Sequence, residues 1–479
     1  MSTSPVRPRT NAQAAADLSD FISSSPSSHH ATASAAARFD AAGFSRLDEQ
    51  AKWSLEPGRG CYVVRDGAII AWRIPTSAGV DSRSSAGSGA GASAGADVGT
   101  SAGAGASAGA GTGTGADTGT GPVPGFRVFG SHTDSPAFKL KPGEEFTAEG
   151  TRQVGVEIYG GPLLNSWLDR ELALAGQLSL ADGTVVLAQT PPIARIPQLA
   201  IHLDRQVNDG LTLDKQRHTT PIIGLADLAE ADVIEILATS AEVDPEQVVG
   251  HDVYTVPVQA PALFGAQEEF FAAPKLDNLL SVHAGVSALV DVDASDLDAI
   301  ALFAGFDHEE IGSNSRSGAS GPFLADVTER IIASLDPDST RSDYLAALAS
   351  SICVSSDAGH AAHPNYPERH DPHVRPRLGG GPLLKLNAQQ RYATDAVGTA
   401  AWSRACAAAG VEYQNFVSNN AMPCGSTIGP LTATRLGMTT VDVGPALYSM
   451  HSAREMVAID DVVALGAAAK AFLQGESAG

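Results

Sequence analysis

Between Ile300 and Phe306 the chain reads Ile-Ala-Leu-Phe-Ala-Gly-Phe, without a polar side chain. A run that short and that apolar predicts a strand buried on both faces. Residues 61–75 alternate into two short strands around Asp66-Gly67, a hairpin signal, and residues 177–189 form a second hairpin around Asp182-Gly183. Phe39, Ala42, Phe44 and Leu47 lie at a ragged helical spacing, which predicts a surface helix over residues 34–52. A further strand is expected at 126–129. From about 144 to 258 the texture is mostly β, with Val154, Val156 and Ile158 alternating.

After Pro274 the pattern changes to strand and helix in turn. Helices are expected at 277–290, 323–335, 394–409 and 459–473, and strands at 300–306, 352–355, 413–417 and 440–443. Such alternation indicates an α/β fold: a mixed sheet with helices on both faces, interrupted by a β-rich insertion. The expected organisation is a first part of the α/β domain over 1–143, an inserted β-rich domain over 144–258, and a second part of the α/β domain over 259–479. Residues 77–122 are almost entirely Gly, Ala, Ser and Thr. They cannot bury enough apolar surface to offset their ordering entropy, and read as a flexible loop between two strands.

Composition narrows the function classes. A length of 479 residues, with 43% hydrophobic and 18% charged residues, fits a globular protein of several domains. The net charge of -23 argues against nucleic acid as a partner, because phosphate binding needs clustered Lys and Arg. It also means that a site for an acidic substrate must carry its own cation. Cys61, Cys353, Cys406 and Cys424 lie far apart without zinc-knuckle spacing, which fits a reducing compartment. With no apolar stretch of signal-peptide or membrane-spanning character, a cytoplasmic location is expected, with no membrane partner.

Acid–base chemistry gathers where the predicted strands end. The 126–129 strand runs into Gly-Ser-His132-Thr-Asp134-Ser-Pro, the 300–306 strand into Asp-His-Glu309-Glu310, and the 352–355 strand into Asp357; His451 follows the 440–443 strand. In α/β sheets these ends line the ligand crevice. Asp277 opens a helix. Adjacent carboxylates such as Glu309-Glu310 raise each other's pKa. They suit a division in which one grips a cation and the other moves a proton. Singly, each residue has a plainer role: a solvated acidic turn for the Glu pair, an N-cap for Asp277, a turn for Asp357, hydrogen-bonded core positions for His132 and His451. Jointly, two His, two Asp and one Glu, with one Glu to spare, suit a pair of zinc-like ions.

The ordered series Gly-Ser-His-Thr-Asp-Ser-Pro, Lys-Leu-Asp-Asn, Asp-His-Glu-Glu-Ile-Gly-Ser, Ser-Ser-Asp-Ala-Gly-His and Ser-Met-His-Ser-Ala-Arg-Glu resembles the aspartyl aminopeptidase family. The similarity runs from about residue 20 to 474. It implies two divalent ions per subunit, zinc first, with Mn or Co as alternatives. His132, Asp277 and Asp357 would hold one ion, and Asp277, Glu310 and His451 the other. It further implies Glu309 as general base, Asp134 as the residue orienting the His132 imidazole, and His360 as a stabiliser of the tetrahedral intermediate. Lys385 would face the acidic side chain of the substrate, with Tyr392 a second substrate contact. The same resemblance implies that the β insertion mediates dimerisation and that dimers assemble into a dodecamer. Some relatives carry His where this chain has Asn165.

The implied activity is removal of an N-terminal Asp or Glu from a peptide. A broader two-metal exopeptidase is the nearest rival. A non-catalytic, metal-bound assembly protein is the rival from another class, against which stands the spare carboxylate of Glu309. His29 and His30 lie in a polar stretch and are expected to be solvated. His202, His218, His251 and His283 are expected to be structural, and His363, His370 and His373 to shape the wall of the site. Cys424 is expected to be a small buried residue without a partnered base.

Overall fold

In the computed structural model residues 11–76, 124–228 and 232–475 are described. The expected loop at 77–122 therefore lies outside the described residues, apart from its flanks. A nine-stranded sheet forms the centre, in the order Ser45–Arg46, Gly60–Arg65, Ala68–Arg73, Ile300–Phe306, Phe126–His132, Ile352–Ser356, Thr439–Gly444, Leu383–Leu386, Gln414–Val417. The four strands from Ile300–Phe306 to Thr439–Gly444 run parallel, and antiparallel pairs flank them on either side. This is the mixed α/β sheet that the alternating pattern predicts.

Every residue of Ile300–Phe306 is buried. Ala301 and Phe303 pack on one face with helices Leu276–Asp291, Ala396–Ala409 and Ile459–Gln474. Ile300, Leu302, Ala304 and Phe306 pack on the other with Phe323–Leu335 and Arg341–Ala349. Period-two alternation thus places apolar side chains on both faces, and both faces are covered. Gly285 sits where helix Leu276–Asp291 crosses the sheet. A Cβ there would meet Phe303 at 2.5 Å and Phe129 at 2.7 Å, so only glycine lets the helix lie this close.

A second sheet comprises strands Ala137–Ala148, Thr151–Tyr159, Glu171–Leu180, Val185–Gln189, Ala194–Arg195, Ile222–Leu225 and Val248–Pro257. Val248–Pro257 pairs with both Ala137–Ala148 and Glu171–Leu180, which closes six of the strands into a ring and leaves Val185–Gln189 at its side. Closure removes most of the free edge that an open sheet would present. Only Thr133–Pro136 separates the Phe126–His132 strand from this sheet, so the two are joined by the loop that follows His132 and carries Asp134.

The chain before the first hairpin differs from its expected form. Helices span Asn11–Ser23 and Ser28–Ala41, and residues 42–52 are not helical. Phe21 and Phe39 are buried against the helices of the central sheet, so this is a core layer and not a surface helix. His29 and His30 are correspondingly not solvated. Both are partly buried, and burial lowers their pKa, that of His30 to about 4. Among the described residues no helix is long and apolar enough to cross a membrane.

Candidate metal centre

Strand ends, a helix start and one loop bring six of the acid–base residues into one cluster. His132 closes its own strand, in register with Phe306 of the neighbouring strand. Glu309 and Glu310 follow in a short 3₁₀ turn, and Asp357 lies just past Ser356. Asp277 stands at the start of helix Leu276–Asp291, behind Lys275, whose φ of 59° turns the chain into the helix. His451 lies on the loop before the Glu455–Ala458 strand.

Nε2 of His132 is 3.4 Å from Asp277 Oδ1 and 3.4 Å from Asp357 Oδ1. Nε2 of His451 is 3.4 Å from the other Asp277 oxygen and 3.3 Å from Glu310 Oε2. Asp277 therefore divides its carboxylate between two groups. Two ligand atoms on one tetrahedral zinc lie about 3.3 Å apart when each bond is about 2.0–2.1 Å. The observed spacings match that figure in both groups. Among the described residues, His132, Asp277 and Glu310 place ligand atoms within 4.8 Å of one another. Asp277 Oδ1 and Glu310 Oε1 are buried without a hydrogen-bond partner among the described residues, which is costly unless a cation satisfies them. On spacing, donor chemistry and unmet demand, the residues fit divalent ions.

The imidazoles are oriented for this task. Nδ1 of His132 lies 3.1 Å from the Asp134 carbonyl, and Nδ1 of His451 lies 3.0 Å from the Gly161 carbonyl. Donation from each Nδ1–H leaves the Nε2 lone pair aimed into the cluster. Without a cation, protons fill that role. Burial opposes a charge on His132, yet hydrogen bonds to Asp134, Asp277 and Asp357 hold its pKa well above the ordinary value. For His451 burial is likewise overridden, chiefly by Asp277, and the pKa rises to about 9. Burial also lifts Glu309 to about 8 and Glu310 well above the usual range, with neighbouring carboxylates adding to both. A cluster of this kind is stable only when positive charge is supplied.

Two further carboxylates hold the backbone of the cluster residues. Asp134 accepts N–H bonds from Glu309 at 3.0 Å and Glu310 at 3.1 Å, and the Tyr159 hydroxyl donates to it at 2.8 Å. Glu455 accepts from the N–H of Asp277 at 2.9 Å and of His451 at 2.6 Å. Tyr159, Gly161 and Glu455 have no role in the sequence reading, although Glu455 stands inside the quoted Ser-Met-His-Ser-Ala-Arg-Glu stretch. Tyr159 ends a strand of the second sheet and Gly161 lies in the loop just past it, both over 20 residues from His132, and nothing in their local pattern signals a contact with the cluster.

A cleft of about 470 Å³ opens beside the cluster, lined among others by Glu309, His360, Lys385, Tyr392 and His451. His360 faces the cleft, and crowding together with the nearby Lys385 ammonium keeps its pKa below the ordinary value. Lys385 is buried, donates to the Ala358 carbonyl at 2.7 Å, and lies 3.9 Å from Asp357 Oδ2. Tyr392 is buried below it, its ring centroid 5.4 Å from the ammonium. Asn165 is exposed on the 3₁₀ turn Leu164–Trp167, which packs against the His451 loop: the Leu163 N–H donates to the His451 carbonyl at 2.9 Å. His283 pairs with Asp17 at 2.8 Å and serves the fold. Cys424 is partly buried in the 418–427 segment beside the cleft.

A mixed α/β sheet with this donor set at its strand ends defines a metal-dependent hydrolase. The chain belongs to the family described as aminopeptidase I zinc metalloprotease (M18), whose model matches residues 21–84 and 116–473. It is a metal-dependent aminopeptidase of that family. The probable M18 family aminopeptidase 2 of Streptomyces avermitilis is 48% identical over 464 residues, covering 96% of this chain and 97% of that protein. Its counterpart in Mycobacterium tuberculosis is 39% identical over 471 residues, covering 96% and 98%. Among solved structures, the cryo-EM structure of the Ape4 and Nbr1 complex is similar with a TM-score of 0.84 at 31% identity, over 99% of this chain and 88% of that one. The mApe1 dodecamer of S. cerevisiae gives 0.75 at 26% identity, over 96% and 95%.

Proposed function

We propose that this aminopeptidase removes N-terminal Asp or Glu from peptides, with two divalent ions per subunit and Glu309 as general base. The observation that carries the reading is the divided carboxylate of Asp277, with two sets of donors at 3.3–3.4 Å and Glu309 left over at 3.9 Å from His132. His132, Asp277 and Asp357 would hold one ion and Asp277, Glu310 and His451 the other, zinc in the first instance. Bound there, they supply Lewis acidity and lower the pKa of water towards about 7.

The chain's own residues do the rest. Glu309 takes the proton of the attacking water and returns it to the leaving amine. His360, open to the cleft, donates to the oxyanion. Asp134 keeps the His132 ring in place and, through the two amides of the 309–310 turn, fixes the base beside it. Lys385 and Tyr392 form the end of the cleft that receives the acidic side chain. Lys385 would supply the local cation that a chain of net charge -23 needs for such a substrate. We infer in addition that residues 144–258 form a dimerisation domain, and that dimers assemble into a dodecamer in the cytoplasm. Supporting this are the exposed Leu203 (74%) and Val249 (68%) on that part of the chain, together with the dodecameric likeness.

The test is a panel of Asp-, Glu-, Ala- and Leu-initiated peptides, free and N-blocked, assayed with chelator and after metal add-back. Cleavage restricted to free acidic N-termini, lost with chelator and restored by zinc, is the expected result. Cleavage of the Ala and Leu peptides at equal rates would reject the acidic specificity. The second reading, a broader two-metal exopeptidase, has its own observation: Lys385 already donates to Ala358 and faces Asp357, so its charge has a use without any substrate. Lys385→Ala separates the two. Loss of a charge-assisted bond of about 1.5–3 kcal/mol predicts a fall of about 10–100-fold in the Asp-over-Ala ratio of kcat/KM, with metal content retained. An unchanged ratio would remove Lys385 from the specificity pocket.

A further inference from the structure

We infer that Glu455 is a positioning residue that sets the affinity of the ion held by Asp277, Glu310 and His451; this rests on the ligand sets proposed above. Glu455 is 2% exposed. Its two oxygens are divided between two backbone amides, Oε2 accepting from Asp277 and Oε1 from His451. Asp277 and His451 are 174 residues apart in sequence and belong to different elements, a helix start and a loop. Their side chains nevertheless meet at 3.4 Å. The Glu455 carboxylate joins the backbones that carry those two side chains.

The arrangement repeats on the opposite side of the cluster. Asp134 also gives one oxygen to each of two amides, those of Glu309 and Glu310. Asp134 additionally reaches His132 and Tyr159, whereas among the described residues the side-chain bonds of Glu455 go to the Asp277 and His451 amides alone. Glu455 itself is fixed by the antiparallel pairing of Glu455–Ala458 with Phe270–Ala273, where Glu455 lies opposite Ala273, two residues before Lys275. That ladder therefore sets the height of both amides against one rigid strand. His451 needs such support, because its φ of 65° places it in the left-handed region that a non-glycine residue rarely adopts.

A glutamine in this place keeps the length but offers one acceptor oxygen. Its NH2 would face an amide N–H, donor against donor, and one of the two ligand residues would lose its anchor. Loss of a partner that orients a metal ligand typically costs about 10–100-fold in metal affinity. The test is Glu455→Gln, compared with the wild-type chain for zinc content by emission spectrometry in chelator-buffered zinc, for melting temperature, and for activity at low and saturating zinc. The expected result is a folded protein whose weaker-bound ion dissociates about 10–100-fold more readily, with kcat recovering at saturating zinc and KM unchanged. Metal rescue is the discriminating readout, since a carboxylate that merely stapled strand to helix would give a defect that zinc does not reverse.

Zinc affinity equal to that of wild type would overturn the proposal, and so would an activity loss indifferent to zinc. Glu455→Asp supplies a second variant: it keeps the charge but is one methylene short of spanning both amides, and the same weakening is expected. Should the wild-type chain hold a single ion, the two-ion reading falls. Glu455 is then judged on that ion, because Asp277 serves both sets.

Discussion

Glu309→Gln is expected to leave both ions bound and to lower kcat about 10³-fold or more. Glutamine has the size of glutamate but cannot accept the proton of the attacking water, and general-base catalysis contributes about 10²–10⁴-fold. The carboxylate stands apart from both donor sets. Its nearest ring nitrogen is His132 Nε2 at 3.9 Å, and its side chain retains 16% exposure at the cleft. Its backbone is fixed independently by Asp134, so the substitution should not disturb the 3₁₀ turn. Burial first, and then the charges of Asp357, Asp134 and Asp277, raise its pKa to about 8 against the opposing pull of His132. Cations nearby shift a carboxylate downwards, towards a base that is ionised at neutral pH. Parallel measurement of kcat and of zinc content decides the matter. Turnover within tenfold of wild type, with two ions bound, would assign the base elsewhere.

The Ile300–Phe306 strand was legible because its burial is complete. A strand covered on both faces has no alternation to misread, and 300–306 is both the sequence-predicted and the observed span. Helix 323–335 is likewise the observed Phe323–Leu335, since its apolar face follows a clear 3.6-residue period. The N-terminal layer was not legible, because its helices bury small residues such as Ala14, Ala15, Ala31 and Ala35. Ala and Ser carry little periodic contrast, and so Leu18, Phe21, Ile22 and Phe39 are few among the small and polar residues around them. The closure of the second sheet depends on the double pairing of Val248–Pro257, a long-range choice that no local pattern encodes.

For the site, residues whose side chains enter the cluster could be picked out as charged groups at the ends of apolar strands. Those acting on backbone amides or on the far side of an imidazole could not. Glu455, Tyr159 and Gly161 look in sequence like any exposed Glu, Tyr or turn Gly, because what matters is which amide, carboxylate or ring nitrogen they face. Asp134 is the exception, legible only because it lies two residues from His132 and inside a quoted motif.

Glu310→Gln should separate metal binding from folding, with opposite signs in the two. Glu310 Oε1 is buried and, among the described residues, without a hydrogen-bond partner, and burial together with Asp277 and Glu309 pushes its pKa well above the usual range. In the metal-free chain a neutral group is therefore preferred at this position, and an uncharged glutamine of the same size fits it. The chelated variant should melt at or above the temperature of the chelated wild type. With zinc the order reverses. The wild type gains the linkage free energy of a tightly bound ion, about 4 kcal/mol at a thousand times Kd, and the variant forfeits most of the share that belongs to the Asp277–Glu310–His451 set. Catalysis should fall about 10³-fold, since the Lewis-acid contribution of an ion is worth several kcal/mol. Thermal denaturation of both proteins, each with chelator and with zinc, gives the four values required. A variant less stable than wild type with chelator present would mean that Glu310 is held charged by the fold itself, and its place among the metal ligands would then lose its physical basis.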